Sequence, residues 1–418
     1  MDINNITVVS SKECPKGFLI REYLYRNLVP FDYFEYPENE RSSHFVDECK
    51  VSTNNFPLVL FKDNSYKTDP QLFEVAQHIG HHQKPKRNHY DLAIMGAGPA
   101  GLTAAVYGGS EGLKTVLIER HSPGGRAGST SFIENLIGHP KGITGREFTQ
   151  SSIEQAEKFG VEFVSPVELN EVKREGNLLR IYMSGATEIT CDSLIIAVGV
   201  RYQLLDVPNA ERLTGAGTFY GAAMTEGLRC KGKEVYIVGG ANSAGQAAMY
   251  FARFASKVNL IIRADTIRKR MSHYLVEEIH QQPNINILSH SKIVSVHGER
   301  YLSSIDIKNL KSGITSNIPT DNLFLLIGGV PCTECLTGIF IRDDNGFLLT
   351  GTNLEIHPDY KSFWQLSRKP FHLEPNIPGV MAIGDVRHGS AKRMAAAIGD
   401  GATAVSLVHD YIATLHRK

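Results

Sequence analysis

The sequence predicts an α/β protein of several domains, and three observations predict it. Asp91 to Arg120 reads as strand, glycine turn, helix, strand and acid: an apolar run Leu92–Met95, the turn GAGPAG, an Ala- and Leu-rich stretch, and Thr115–Ile118 ending on Glu119. About 140 residues further on, Glu234 to Arg263 repeats that plan. Ahead of both, residues 1–83 alternate short strands and helices. The expectation is a small α/β unit followed by two Rossmann-like nucleotide-binding folds.

The first repeat carries the most information. Gly96 permits the tight turn, Gly98 lets a pyrophosphate approach the backbone, and Gly101 packs helix on strand. The helix N-terminus then offers unpaired N–H groups and a positive dipole end to phosphate. Glu119, 18 residues past Gly101, stands where a carboxylate can accept both hydroxyls of an adenosine ribose.

Composition narrows the function classes. The chain has 418 residues, 42% apolar and 21% charged, with 44 basic and 44 acidic residues. That balance favours neither nucleic acid nor an anionic membrane. No apolar run approaches the roughly 20 residues of a membrane span. The start, MDINNITVVSSKEC, has no basic segment leading into an apolar core, so a mature cytoplasmic protein is expected. Six scattered cysteines argue against a disulfide scaffold, and only Cys332 and Cys335 form a C-x-x-C pair.

In chain order, Ile6–Val9 is a strand, and Cys14-Pro15-Lys16-Gly17 starts a helix reaching Asn27. Phe31–Tyr36 is a strand, Glu38–Glu48 a helix, Phe56–Phe61 a strand with Pro57 at its start, Lys62–Thr68 a turn, and Gln71–Ile79 a helix. This order resembles glutaredoxin and thioredoxin-like domains, with Cys14 where those families keep their nucleophile and Pro57 where their proline is cis. Gly17 replaces the second cysteine of the usual C-P-x-C. Two readings of Cys14 stay open: monothiol chemistry, with a thiol acidified at a helix N-terminus if exposed, or a retired redox domain kept for docking. The His-rich segment around 81–89 reads as a solvated linker, with no metal expected.

After Arg120 comes a second glycine-rich loop, PGGRAG, whose N–H groups suit a flat ring or its phosphates. Phe148–Phe159 has helical spacing; Val161–Val164, Leu178–Met183 and Ser193–Val198 read as strands. In the second repeat, Glu234–Val238 is a buried strand, Gly239, Gly240, Asn242, Ser243 and Ala244 form its turn, and Gly245–Ala255 is a small-residue helix. Ala241 stands where the middle glycine belongs. The next strand, Val258–Ile262, ends in Arg263, with Arg268 close behind. An acid there would accept the ribose of NAD, whereas a cation favours the 2′-phosphate of NADPH, so NADPH is preferred. Leu323–Ile327 is a further strand, and Pro378–Asp385 is a strand closing on Gly-Asp before a final helix from Lys392 onward.

Taken together, GAGPAG, PGGRAG, Ile133-Glu134-Asn135, the strand ending at Gly199, GGANSAG, the Arg263/Arg268 pair and AIGDV make residues 89–418 resemble the low-molecular-weight thioredoxin reductase family of flavoproteins. The thioredoxin-like unit in front is similar to the flavoprotein component of alkyl hydroperoxide reductase. The resemblance implies a domain layout of 1–83, a linker at 84–88, an FAD domain split into 89–208 and 323–418, an NADPH domain at 209–322, and a homodimer. It implies that FAD is held by Gly96, Gly98, Pro99, Ala100, Gly101, Glu119, Arg120, Gly124, Gly125, Arg126, Asn135, Gly199, Gly384, Asp385, Arg393, Met394 and Ala395. It assigns NADPH to Gly239, Gly240, Asn242, Ser243, Ala244, Arg263 and Arg268.

The departures bear on function. The family's redox C-x-x-C, aligned on Gly217 and Tyr220, falls here on Gly221 and Met224. Cys332 and Cys335 are near enough in sequence for a disulfide, yet two incidental cysteines remain the other reading. His388 could protonate a product or be an ordinary polar residue. The expected activity is hydride transfer from NADPH to FAD and on to a disulfide partner, ferredoxin, a quinone or oxygen. The competing class is a redox-sensing or docking protein that binds FAD and NADPH with little turnover.

Overall fold

The structure, a computed structural model, describes residues 5–81, 84–221 and 224–415. It divides into two compact units, Met1–Val75 with Ser129–Phe132 and Tyr202–Gly328, and Ala76–Gly128 with Ile133–Arg201 and Gly329–Lys418.

In the first unit the N-terminal segment folds as β1 Ile6–Ser10, α1 Pro15–Arg26, β2 Phe31–Glu35, α2 Glu40–Glu48, β3 Leu58–Leu60, β4 Tyr66–Thr68 and α3 Leu72–His78. The sheet order is β2-β1-β3-β4, with β1 parallel to β2 and antiparallel to β3. β1 and β3 are buried along their whole length, so their apolar runs were readable. β4 fell inside the expected turn because it is a short, mostly exposed strand, Tyr-Lys-Thr, with no apolar alternation to betray it. Phe56–Pro57 is a cis peptide bond, as the resemblance expected.

In the second unit, β5 His89–Met95, α4 Pro99–Ser110, β6 Thr115–Ile118, α5 Gly145–Lys158, β7 Glu162–Val164, β8 Leu169–Glu175, β9 Leu178–Met183 and β10 Thr187–Ile196 precede the excursion to the first unit. The sheet runs β7-β6-β5-β10-β9-β8. β5, β6, β7 and β10 are mutually parallel, whereas β9 and β8 return antiparallel. α5 starts on a capping box in which Thr144 and Glu147 satisfy each other's backbone N–H groups.

Back in the first unit, β11 Thr218–Tyr220, β12 Glu234–Val238, α6 Asn242–Ala252, β13 Lys257–Ile261, α7 His273–Gln281 and β14 Ile285–Leu288 build the second nucleotide fold. Beside it lies an antiparallel meander of β15 Ser291–His297, β16 Ser304–Asn309 and β17 Thr315–Pro319. β18 Leu323–Leu325 then enters the parallel sheet between β11 and β12, giving the order β11-β18-β12-β13-β14. The segment beginning at 323 therefore belongs to the second nucleotide fold, not to the returning half of the first. Residues from Tyr202 also group with that fold, and Ala76–Ile79 group with the second unit. The expected boundary at 322 thus falls before a strand of that sheet. Contiguity alone could not show this, because a buried parallel strand reads as the same apolar run in either sheet.

The chain closes the first fold with β19 Val380–Ala382, parallel to β10, and α8 Met394–Leu415. α8 crosses α4 at Gly401, where an added Cβ would lie 2.5 Å from the Ala100 carbonyl oxygen. No helix among the described residues is long and apolar enough to cross a membrane. Gly401→Val should therefore force the two helices apart and destabilise the fold by about 1–3 kcal/mol, the usual cost of overpacking. Thermal or urea unfolding measures that loss; an unchanged midpoint would show the crossing to be pliable.

Candidate nucleotide sites

At the first fingerprint, β5 ends at Met95 and the chain turns through Gly96 at φ 99°, a conformation that favours glycine. A Cβ at Gly96 would stand 2.5 Å from the Ala197 carbonyl oxygen, and one at Gly101 only 1.9 Å from the Gly96 carbonyl oxygen. These two glycines pack the turn. Gly98 differs: the nearest atom to its missing Cβ is the Gly125 Cα, 4.0 Å away. Its bare backbone faces space, which is the role assigned to the pyrophosphate-approach glycine. Gly98 also caps α4 with no side-chain hydrogen bond, followed by Pro99, so the helix keeps its N-terminal donors for an anion. Ala100 is buried in the first turn of α4.

The second glycine loop lies against the first. The Gly124 N–H donates to the Ala97 carbonyl at 2.7 Å. Gly124 and Gly125 both have positive φ, 94° and 55°. Thr149 of α5 fills the space beside Gly124, 2.4 Å from its would-be Cβ. Glu119 points back across the turn: one carboxylate oxygen accepts the Ala97 N–H at 2.8 Å and the other accepts the His121 N–H at 2.9 Å. Each oxygen keeps a second lone pair for a ribose hydroxyl. Arg120 and Asn135 are exposed at the rim.

The Gly-Asp motif arrives from β19. Gly384, at φ 69°, sits with its would-be Cβ 3.0 Å from the Ala100 Cβ, and its N–H donates to Asp400 of α8 at 3.0 Å. Asp385 follows; burial pushes its carboxyl up, while Lys392 and Arg126 pull it down. Lys392 donates to the Asp385 carbonyl at 3.0 Å, and its ammonium stands 3.9 Å from the centre of the Phe347 ring. Arg393 and Ala395 are exposed at the start of α8, and Met394 is half-buried. His388 pairs with Asp343 at 2.6 Å. Lys392 and Asp400 lie in the helical stretch that the sequence showed after the Gly-Asp motif, but their contacts with Asp385 and Gly384 appear only in the fold, as does the packing of Thr149 beside Gly124.

The second fingerprint turns through Gly239 and Gly240. Gly239, at φ 149°, would bring a Cβ within 2.5 Å of the Leu326 carbonyl oxygen. Beside Gly240 only Ile262 comes near, at 3.5 Å. Asn242 is engaged at both ends with Ser272, donating to its hydroxyl at 2.9 Å and accepting its N–H at 2.7 Å. It therefore ties the start of α6 to the start of α7. Ser243 is half-buried and Ala244 fully buried. Arg263 is exposed just past β13 and takes part in no ion pair among the described residues. Arg268 pairs with Glu277 at 3.2 Å, an exposed contact that a phosphate could displace at little cost.

The cysteines divide differently from expectation. Cys14 caps α1, and the Gly17 N–H donates to its sulfur at 3.4 Å. The thiol is nevertheless pushed up, because burial outweighs that hydrogen bond. The acidified nucleophile expected of an exposed helix cap is not what the fold provides. Cys332 is half-buried and its thiol is also raised by burial, against the opposing charges of Arg120 and Arg201. The Cys332 N–H donates to Gly199 at 3.1 Å, and Cys335 is exposed. Arg120 also acts on the Cys335 thiol, which burial raises as well. His89, Asp91 and Asp192 bring ligand atoms within 4.8 Å of one another, but Asp91 already accepts the Lys114 N–H at 2.7 Å.

With this geometry in place, comparison with known proteins is informative. The profile of the pyridine nucleotide-disulphide oxidoreductase family matches residues 90–401. The chain belongs to that family. It is 31% identical over 327 residues to a thioredoxin reductase of Bacillus subtilis, spanning 78% of this chain and 96% of that one. A thioredoxin reductase of Peptoclostridium acidaminophilum is also 31% identical, over 331 residues. Among solved structures, thioredoxin reductase of Lactococcus lactis superposes with a TM-score of 0.69 at 29% identity, covering 78% of this chain and 99% of that one. This chain is an FAD-dependent NAD(P)H oxidoreductase that resembles thioredoxin reductase and binds FAD and NADPH. The open cradle at Gly98 and the double acceptor Glu119 fit the adenine-dinucleotide part of FAD.

Two outcomes follow from the site. Gly98→Val puts atoms into open space, so the apoprotein should fold with an unchanged melting temperature but lose FAD at least about tenfold in affinity; flavin absorbance after desalting reads it. Cys14, with its raised thiol pKa, should alkylate slowly at neutral pH and faster as pH climbs past the ordinary cysteine value; a pH-independent rate would contradict the shielded thiol.

Proposed function

We propose that this chain is a thioredoxin-reductase-like flavoprotein reductase that passes electrons from NADPH through FAD to an external acceptor without an internal disulfide at the second nucleotide fold. The observation that carries the reading is the opposite charge at the two matched strand ends, Glu119 in one fold and Arg263 in the other. Bound FAD supplies the ring that accepts a hydride from the nicotinamide. The chain's own residues orient and select. Gly96, Gly98, Gly101, Gly124 and Gly125 keep backbone at the phosphates, Glu119 takes the ribose, and Asp385 with Gly384 faces the ribityl chain. Gly239 and Gly240 serve the NADPH phosphates, while Arg263 and Arg268 bind the 2′-phosphate.

The acceptor we infer is one that reaches the flavin itself, whether a disulfide-bearing protein, ferredoxin, a quinone or oxygen. Gly221 and Met224 carry no thiol, and burial raises the thiols of Cys14, Cys332 and Cys335. The split FAD domain, the thioredoxin-like reading of the N-terminal unit, a homodimeric assembly and a cytoplasmic setting belong to the same proposal.

Anaerobic titration with NADPH tests it. The flavin should bleach within seconds, and no cysteine should gain reactivity toward alkylation. A flavin that stays oxidised overturns the reading, and a newly reactive thiol restores a disulfide relay. Arg263→Ala removes one charge-assisted contact, so KM for NADPH should rise about tenfold or more while KM for NADH stays level. A parallel change for both nucleotides would mean that Arg263 does not select the phosphate.

A further inference from the structure

In the first unit, the N-terminal sheet and the second nucleotide fold share a continuous interface. Its centre is apolar. Phe18 of α1 is 8% exposed and belongs to the hydrophobic core of the nucleotide fold, together with Phe219, Phe251 and Phe324. The Phe18 and Phe219 rings lie 5.2 Å apart, and Phe219 stacks on Phe324 at 5.3 Å. The helix also rests on bare backbone. Gly215, at φ 79°, has Pro15 and Phe18 each 3.2 Å from its would-be Cβ.

Around this centre runs a set of polar contacts that carries specificity. Arg21 and Glu226, 4% and 1% exposed, form an ion pair at 2.7 Å. Thr225 donates to Glu22 at 2.6 Å. Arg229 bridges Glu226 at 2.8 Å and Glu35 at 3.2 Å. At the edge Arg300 pairs with Glu13 at 3.0 Å. Thr225, Glu226 and Arg229 all lie in the short helical segment Met224–Cys230.

We propose that residues 5–75 are a permanently docked domain of the nucleotide-binding fold rather than a thiol carrier that leaves it, and that Met224–Cys230 is the receptor for that domain. A carrier that left would strip Phe18 from a core it completes and expose the apolar surface around Phe219. It would also have to rehydrate and later re-pair Arg21 and Glu226. A buried pair of this kind adds little net attraction, but leaving one partner alone is costly, so it fixes one docked register. The segment that follows Gly221, where the disulfide was expected, has thus become an anchor.

Thiol labelling with a maleimide, read by mass spectrometry, tests it in the full-length holoprotein. Cys230 is fully buried in the same core as Phe18, and Thr225→Cys places a reporter on the interface itself. Permanent docking predicts that both label at rates unchanged within about twofold between the resting protein and the protein turning over NADPH. A rise of about tenfold or more during turnover, with Cys191 of the other fold unchanged, overturns it. Phe18→Ala and Arg21→Met should each raise Cys230 labelling by about tenfold without moving Cys191. If neither does, the anchor role fails. If Cys191 reacts as well, that variant has unfolded, and the Thr225→Cys protein decides. Flavin bleaching followed in the same sample separates the two proposals: absent bleaching sinks the reductase reading, and the two point variants then judge the docking alone.

Discussion

The steric contact between Gly96 and Gly101 is the constraint on which the first fold depends. With the would-be Cβ of Gly101 only 1.9 Å from the Gly96 carbonyl oxygen, any side chain would push α4 off β5. Held there, α4 presents its uncapped N-terminus to Gly98 and brings Ala100 against Gly384 and Gly401. The return segment of the chain is thereby registered on the first. Glu119 and Gly124 both hydrogen-bond Ala97 in this turn, one through its N–H and the other through its carbonyl.

The second fold solves the same problem with a different closing device. Gly239 meets the Leu326 carbonyl just past β18, so the strand that completes the sheet also shapes the turn. The contrast at the ends of the matched strands, Glu119 with its two backbone donors and Arg263 exposed with a free positive charge among the described residues, makes the two folds chemically distinct despite a shared plan.

The N-terminal unit shows how position decides chemistry. Cys14 occupies a helix cap, a place that ordinarily acidifies a thiol, and the hydrogen bond from Gly17 is present. Burial reverses the outcome. No inspection of C-P-K-G could weigh these terms, because one comes from neighbours in sequence and the other from packing. The same holds for Arg21 and Glu226, two charges far apart in the chain that the fold buries together.

The sequence by itself determined the two glycine turns, their flanking strands and the charge that follows each, because these are local: 3.6- and 2-residue periodicities and φ-limited glycines act over a few residues. It also showed that Gly221 and Met224 carry no thiol. Only the tertiary structure decided which sheet receives Leu323–Leu325, that Thr149 packs beside Gly124, and that Phe18 fills the core of another fold. Those outcomes depend on contacts between residues far apart in the chain, and local patterning carries no record of which buried surface will meet which.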